Sequence, residues 1–189
     1  ETVFQDNYAD QIDLDYTNAH ILKSQFRNTK GGDLNGDGLD ISGSKVIISG
    51  TSFTGFRDKG ISIGEKSEIL VYKSSLKENF LGAAVKDSSN AYFINVNFSN
   101  NKTDIAAYMK KRIFGGGKVI LQTKPLIAKP LSFNFDEQST LHYFTGSNIS
   151  ESIESFGNLQ NIQQVFEDLK HKAKQKFDIE STYVSEVYE

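Results

Sequence analysis

The 189-residue sequence contains no cysteine, no tryptophan, two prolines and a single methionine. The absence of cysteine excludes a disulfide framework. Only three histidines occur, His20, His142 and His171, and their spacing does not match that of a zinc site. No apolar run is long enough to cross a bilayer as a helix. The net charge of −3 argues against a general attraction to nucleic acid or to anionic membranes.

An apolar pattern repeats roughly every 22–23 residues through the middle of the chain. The repeats begin at Gly38, Gly60, Gly82 and Ile105, and a second apolar run follows within each one. A third apolar position, shared by several repeats, is occupied by Phe26, Phe53, Leu76 and Phe98. A fixed period of this length is typical of a solenoid, in which each repeat stacks on its neighbours.

The apolar runs within each repeat are short and are separated by Gly, Ser, Asn, Asp and Lys. Such runs with alternating polarity predict strands, and no helix-length apolar pattern fits inside one repeat. The leucine and asparagine spacing of a leucine-rich repeat is absent. We therefore predict an all-β solenoid, a parallel β-helix of about five coils over residues 1–127, with neighbouring rungs roughly 4.8 Å apart.

Three segments carry a family resemblance: residues 38–44, 58–65 and 84–89. They resemble right-handed parallel β-helix repeats of the pectin-lyase-like superfamily, and the resemblance extends over roughly residues 10–125. It implies a right-handed coil and a secreted or cell-surface location. The superfamily includes polysaccharide lyases, hydrolases, epimerases, phage tailspikes and adhesins. The Asn-Thr-Asp and Gly-His-Gly motifs expected of a polygalacturonase-like enzyme do not occur in this sequence.

Alternation along each strand predicts which side chains fill the coil. In the first strand of each coil the predicted inward pairs are Ile12/Leu14, Leu39/Ile41, Ile61/Ile63, Ala83/Val85 and Ala106/Tyr108. In the second strand they are Ala19/Ile21, Val46/Ile48, Ile69/Val71, Tyr92/Ile94 and Val119/Leu121. The residues between these pairs are predicted to face outward.

Aspartates dominate the outward positions of the first two coils. Asp13 and Asp40 are expected on adjacent rungs, with Asp10 and Asp37 forming a second stacked pair just upstream. Three interpretations compete. The aspartates form a solvated, turn-forming face; or all four bind Ca²⁺, the only cofactor that the sequence suggests; or Asp13 and Asp40 are a catalytic pair with the spacing of a retaining glycosidase.

Basic residues lie close to this acidic region. Asp58, Lys59, Lys86 and Arg112 are candidate carbohydrate-binding residues by position. Arg112 belongs to a basic, glycine-rich insertion at residues 110–118. Either the backbone N–H groups of this insertion cradle a carboxylate or sulfate, or the insertion is a flexible loop that widens one coil.

A stripe of outward apolar side chains is predicted on the second strand, formed by Ile47, Leu70, Phe93 and Ile120. Such a stripe marks a partner or oligomer surface unless the chain covers it. The segment 128–189 supplies a candidate cover, because its apolar residues recur with helical spacing near residues 155–177. This helix either packs on or caps the solenoid, or it docks on another protein.

Together these features predict a secreted or surface β-helix domain with a non-catalytic carbohydrate-binding or structural role. The expected partner is a polysaccharide or a cell-surface protein, with no nucleic acid and no membrane span. The alternative is an enzyme, a polysaccharide lyase, hydrolase or epimerase, that acts at the acidic face.

Overall fold

Parallel strands stack coil upon coil in the computed structural model, which describes residues 1–30, 35–123, 130–145 and 161–177. The first five coils contribute one strand to each of three parallel sheets. The predicted parallel β-helix is therefore confirmed.

The three sheets differ in strand length. Sheet A contains three-residue strands: β1 (Val3–Gln5), β4 (Gln25–Arg27), β7 (Ser52–Thr54), β10 (Ser75–Lys77) and β13 (Asn97–Ser99). Sheet B contains β2 (Ile12–Asp15), β5 (Leu39–Ser42), β8 (Lys59–Gly64), β11 (Leu81–Lys86), β14 (Thr103–Tyr108) and β16 (Phe133–Phe135). Sheet C contains β3 (Asn18–Leu22), β6 (Lys45–Ser49), β9 (Glu68–Tyr72), β12 (Asn90–Ile94), β15 (Lys118–Thr123) and β17 (Thr140–Thr145).

The solenoid extends beyond residue 127, where the sequence analysis placed its end. Strand β16 pairs in parallel with β14, and β17 pairs in parallel with β15. These two strands therefore start a sixth coil instead of belonging to a separate C-terminal segment. The alternation of residues 131–135 does predict a strand, but its partner lies in the preceding coil and is invisible to a local pattern.

The core is a set of apolar ladders that run through the coils. In sheet A the rings of Phe4, Phe26 and Phe53 stack with centroid separations of 4.8 and 4.7 Å, and Leu76 and Phe98 continue the column. The predicted inward residues of sheets B and C join the same core in the second and third coils: Leu39, Ile41, Val46, Ile48, Ile61, Ile63, Ile69 and Val71.

The predicted facing is wrong at two strands. In β12, Ala91 and Phe93 lie in the core, while Tyr92 and Ile94 face outward. The chain is uniformly apolar from Ala91 to Ile94, and such a run carries no alternation to fix its facing. A shift of one residue exchanges the two faces, so Tyr92 replaces Phe93 in the outward stripe.

The same error occurs in β14. Ile105 and Ala107 pair with Ala83 and Val85 and fill the coil. Ala106 and Tyr108 therefore face outward, the reverse of the prediction. This correction brings Tyr108 next to the charged side chains of sheet B.

Polar ladders bind the corners of successive coils, and the sequence analysis did not identify them. At the corner between sheets B and C, the N–H of Ser44 donates to Ser67 Oγ and the N–H of Ser67 donates to Ser89 Oγ, both at 3.1 Å. At the corner between sheets A and B, the N–H of Asn79 donates to Asn101 Oδ1 at 3.0 Å. Each side chain thus accepts from a backbone N–H of the adjacent coil and helps to satisfy that donor.

An amphipathic helix, α1 (Ile162–Phe177), covers the outer face of sheet C. Residues 155–160 of the predicted helix, and residues 178–189, lie outside the described part of the chain. Val165, Phe166 and Leu169 form one apolar cluster with the outward residues of sheet C, which are Ile47, Leu70, Tyr72, Tyr92, Ile94 and Ile120. Within the described residues, no helix is long and apolar enough to cross a membrane.

Ion pairs border this contact. Glu68 forms ion pairs with Lys170 of α1 at 2.6 Å and with Lys45 at 2.9 Å. Burial raises the pKa of Glu68, but these two cations outweigh it and keep the pKa below its usual value. Lys45 also bonds Gln163 at 2.7 Å. The stripe residues Ile47, Leu70 and Ile120 are consequently buried by the chain itself. They do not form the open partner or oligomer surface that was one interpretation of the stripe.

Substitution of Phe166 by Asp should detach α1, because a charge cannot remain buried against Tyr92. We expect a lower melting temperature and increased binding of a dye specific for apolar surface. The destabilisation should approach the roughly 3–5 kcal/mol typical of losing a buried Phe side chain. Gln164→Asp, on the exposed side of the helix, is the control. Unchanged melting and dye binding in Phe166→Asp would contradict this packing.

Candidate functional site on the outer face of sheet B

One column of residues on the outer face of sheet B changes from acidic to neutral side chains along the solenoid. Strand pairing aligns Asp13, Asp40, Ser62, Ala84 and Ala106 on successive rungs. The face is therefore acidic in the first two coils and lined by small, neutral side chains in the next three.

Asp13 and Asp40 are register partners, as the repeat predicts. Partial burial raises the pKa of Asp13, and repulsion from Asp15, Asp40 and Asp10 raises it further. The N–H of Ile41 donates to Asp40 Oδ1 at 3.0 Å. The two carboxylates thus share one face, where negative charge accumulates.

Asp37 is only 4% exposed and lies at the corner where the chain enters sheet B. Its N–H donates to Asp10 Oδ1 at 2.6 Å, which confirms that these two aspartates are neighbours. Its own Oδ1 accepts from the N–H of Lys59 at 3.0 Å and from Lys59 Nζ at 3.3 Å. Burial raises the pKa of Asp37 to about 7, although the Lys59 ammonium acts in the opposite direction.

Lys59 is shared between two carboxylates. Its Nζ bonds both Asp37 and Asp58. Burial lowers the pKa of Lys59, but Asp37 and Asp58 outweigh this effect and leave the pKa above its usual value. Both residues of the predicted pair Asp58 and Lys59 thus belong to one ion-pair network beside Asp37.

One of the four aspartates predicted to bind Ca²⁺ already has another cation as its partner. Asp37 uses its carboxylate to hold Lys59. Among the described residues, no group of three or more His, Cys, Asp or Glu side chains is arranged to hold a metal ion. Calcium binding by Asp10, Asp13, Asp37 and Asp40 stays a prediction.

Lys86 is the most unusual cation of the face. It is only 6% exposed, and its Nζ donates to the hydroxyl of Ser62 at 2.6 Å. The lysine crosses from its own coil to the preceding one above Gly64, where an added Cβ would make ordinary contact with Lys86 Cε at 3.6 Å. Burial lowers the pKa of Lys86, Asp40 partly offsets this, and Lys110 and Lys59 lower it again.

The insertion between β14 and β15 is not an open cradle. The carboxylate of Asp87 accepts from the N–H groups of Lys110 and Lys111 at 2.8 and 2.7 Å. Ser88 Oγ accepts from the N–H of Gly115 at 2.7 Å. The N–H groups of Lys110, Lys111 and Gly115 are therefore committed to the chain's own side chains, which counts against the interpretation in which the insertion cradles a ligand anion.

The structure separates the four predicted carbohydrate-binding residues into two places. Asp58, Lys59 and Lys86 border the outer face of sheet B, whereas Arg112 is exposed on the insertion at the corner between sheets B and C. Ser62, which was predicted to face outward, and Tyr108, which was predicted to face inward, join the face but were not among the predicted site residues. Burial raises the pKa of Tyr108 and the Lys59 ammonium lowers it, with a net increase. The alternation that places Ser62 outward was the available signal.

Replacement of Asp37 by Asn should change how stability depends on pH. A carboxyl with a pKa of about 7 in the folded state and 3.8 in the unfolded state binds its proton more tightly when folded. The wild type should therefore lose stability as pH rises from about 4 to about 7. The Asn variant should lack this slope. The difference between the unfolding free energies of the wild type and the variant should therefore change by about 2–4 kcal/mol between about pH 4 and about pH 7. Denaturant unfolding across this range measures the difference, and parallel profiles would contradict the raised pKa.

Comparison with protein families agrees with the coil geometry. The family described as "Right handed beta helix region" matches residues 2–121. The match spans more than half of the 189 residues and supplies the handedness that the repeat period does not. Comparisons with curated proteins and with solved structures found no match.

Proposed function

The chain belongs to the right-handed β-helix family, and on that premise we propose that the outer face of sheet B binds an extended polysaccharide without cleaving it. The observation that carries this proposal is Lys86, a nearly buried cation whose side-chain partner is a neutral hydroxyl. A buried charge is normally neutralised by an ion pair. Among the described residues, this ammonium bonds the Ser62 hydroxyl, and Asp40 of the acidic column favours its charged form.

The shape of the face supports a polymeric ligand. Gly64, Ala84 and Ala106 contribute little or no side chain on three consecutive coils, and Ala84 and Ala106 are almost fully buried. The accessible part of the face therefore lies along its charged residues Asp13, Asp40 and Lys59. Extended solenoid faces suit long ligands because each rung repeats the same geometry. Sheet C does not offer such a face, because α1 covers it.

The chemistry of the face supports a sugar that carries both hydroxyl and carboxylate groups. Asp13 and Asp40 accept hydrogen bonds from hydroxyl groups when they are ionised. Lys86 is the cation that a ligand carboxylate would pair with, because Lys59 is already shared by Asp37 and Asp58. A uronate-containing polysaccharide fits this combination, and such a role places the domain outside the cell or at its surface.

Lys86→Met should abolish most of this binding while preserving the fold. Methionine has a similar length and no charge, so its burial removes a desolvation cost and the melting temperature should stay equal or rise. The affinity for polygalacturonate, measured by isothermal titration calorimetry, should fall at least tenfold, as expected for the loss of a charged hydrogen bond of about 1.5–3 kcal/mol.

Lys77→Met is the matched control, because Lys77 is an exposed lysine on sheet A. Equal affinities in the wild type and Lys86→Met would reject the proposed role of Lys86. A large loss of stability in Lys86→Met would instead assign the lysine to the fold.

A second candidate, a polysaccharide lyase, is favoured by one observation. Burial lowers the pKa of Lys86, which increases the fraction of neutral amine available as a base. In this mechanism the amine removes the proton from the carbon next to the uronate carboxyl group. A carbon–carbon double bond forms, the bond to the glycosidic oxygen breaks, and that oxygen takes a proton from water and leaves as a hydroxyl group.

The lyase candidate predicts a rise in ultraviolet absorbance from unsaturated sugar ends when the protein is incubated with polygalacturonate. Lys86→Met should eliminate this signal, because the base is lost, whereas Lys77→Met should retain it. Binding by the wild type with constant absorbance would reject catalysis on this polymer and leave the binding role in place.

A further inference from the structure

The corner between sheets B and C is extended in one coil only. In the third and fourth coils this corner consists of residues 65–67 and 87–89, whereas between β14 and β15 it consists of residues 109–117. The longer corner has room to fold back along the solenoid. Lys111 of the fifth coil reaches Glu65 of the third coil, and Glu65 also accepts from the hydroxyl of Tyr16 in the first coil at 3.2 Å.

The backbone of this corner is fixed at both ends and in the middle. Asp136 accepts from the N–H of Met109 at 2.7 Å, and Asp87 accepts from the N–H groups of Lys110 and Lys111. The N–H of Gly117 donates to Ser139 Oγ at 2.9 Å. A loop held in this way presents its side chains in a defined arrangement, which lowers the entropic cost of binding.

The side chains presented are basic, with one apolar residue at the tip. Lys110, Lys111 and Arg112 are exposed, and Ile113 is 84% exposed. Lys66 of the neighbouring corner adds a fourth cation, since its Nζ lies 5.7 Å from the centre of the Phe114 ring. We define the corner patch as these four cations together with Ile113.

The carboxylates near the corner patch do not neutralise it. Glu65 pairs with Lys111, and Asp87 is only 1% exposed and is bonded to the loop backbone. Asp136 is likewise bonded to the loop backbone. In the contacts described for this corner, four cations thus face three carboxylates, so the patch keeps an excess of positive charge on a chain whose net charge is −3. The composition alone argues against attraction to an anionic surface, because the net charge of the whole chain is negative and does not reveal a local excess of cations.

We propose that the corner patch binds the surface of an anionic lipid bilayer. The four cations match the headgroup charge, and the exposed Ile113 matches the apolar region just below the headgroups. Basic residues combined with an exposed apolar side chain are the combination by which proteins attach to a membrane interface without spanning it. A water-soluble polyanion satisfies the four cations but gives Ile113 no apolar environment.

Cosedimentation with vesicles of phosphatidylserine and phosphatidylcholine tests the proposal on the whole chain. The wild type should bind these vesicles, should not bind vesicles of phosphatidylcholine alone, and should be released by salt. Each basic residue near such a surface strengthens binding about fivefold, so Lys110→Gln/Arg112→Gln should lower the partition coefficient roughly thirtyfold. Ile113→Ser should lower it as well.

Lys23→Gln/Lys77→Gln is the matched control, because it removes the same charge from exposed positions away from the corner. The proposal would be overturned if the control and Lys110→Gln/Arg112→Gln lowered the partition coefficient equally. It would also be overturned if the wild type did not bind the vesicles. Binding that is insensitive to Ile113→Ser and equally strong to heparin would assign the patch to soluble polyanions instead. Lys86→Met should bind vesicles like the wild type, which separates this proposal from the polysaccharide-binding role.

Discussion

In-register stacking of parallel strands is the constraint on which the rest of this structure depends. The Phe4, Phe26 and Phe53 rings repeat at 4.8 and 4.7 Å, close to the spacing of neighbouring strands. A side chain in one coil therefore meets its counterpart in the next, whether the residues are apolar, hydroxyl or acidic. The same register builds the core, the serine and asparagine ladders and the column of outward aspartates.

The two long sheets use their outer faces differently. Sheet C presents large apolar side chains, which α1 buries together with the ion pairs of Glu68. Sheet B presents charged and small side chains, and its outer face contains the candidate site. The division follows from side-chain chemistry, because an uncovered apolar stripe would promote association whereas a charged face is stable in water.

Several charged groups in the described part of the chain are held by its own ion pairs and backbone N–H groups, and the two proposed binding surfaces are based on cations bonded in other ways. Asp37 and Asp58 hold Lys59, and Asp87 occupies the N–H groups of the basic corner. Lys86 rests against a hydroxyl group, and the corner patch has more cations than carboxylates. Lys86 lies on sheet B and the corner patch lies at the corner between sheets B and C, so the proposed polymer and the proposed bilayer would contact different surfaces.

The sequence by itself determined the repeat, the strand type, the aromatic ladder and the stacking of Asp13 on Asp40, because each is a periodic pattern. It also predicted a helix that covers the apolar stripe. It could not determine the facing of β12 and β14, since residues 91–94 and 105–107 are uniformly apolar and carry no alternation. Only the tertiary structure placed Lys86 over Gly64 and against Ser62, and Asp87 under the basic corner, because these contacts join different coils and depend on register.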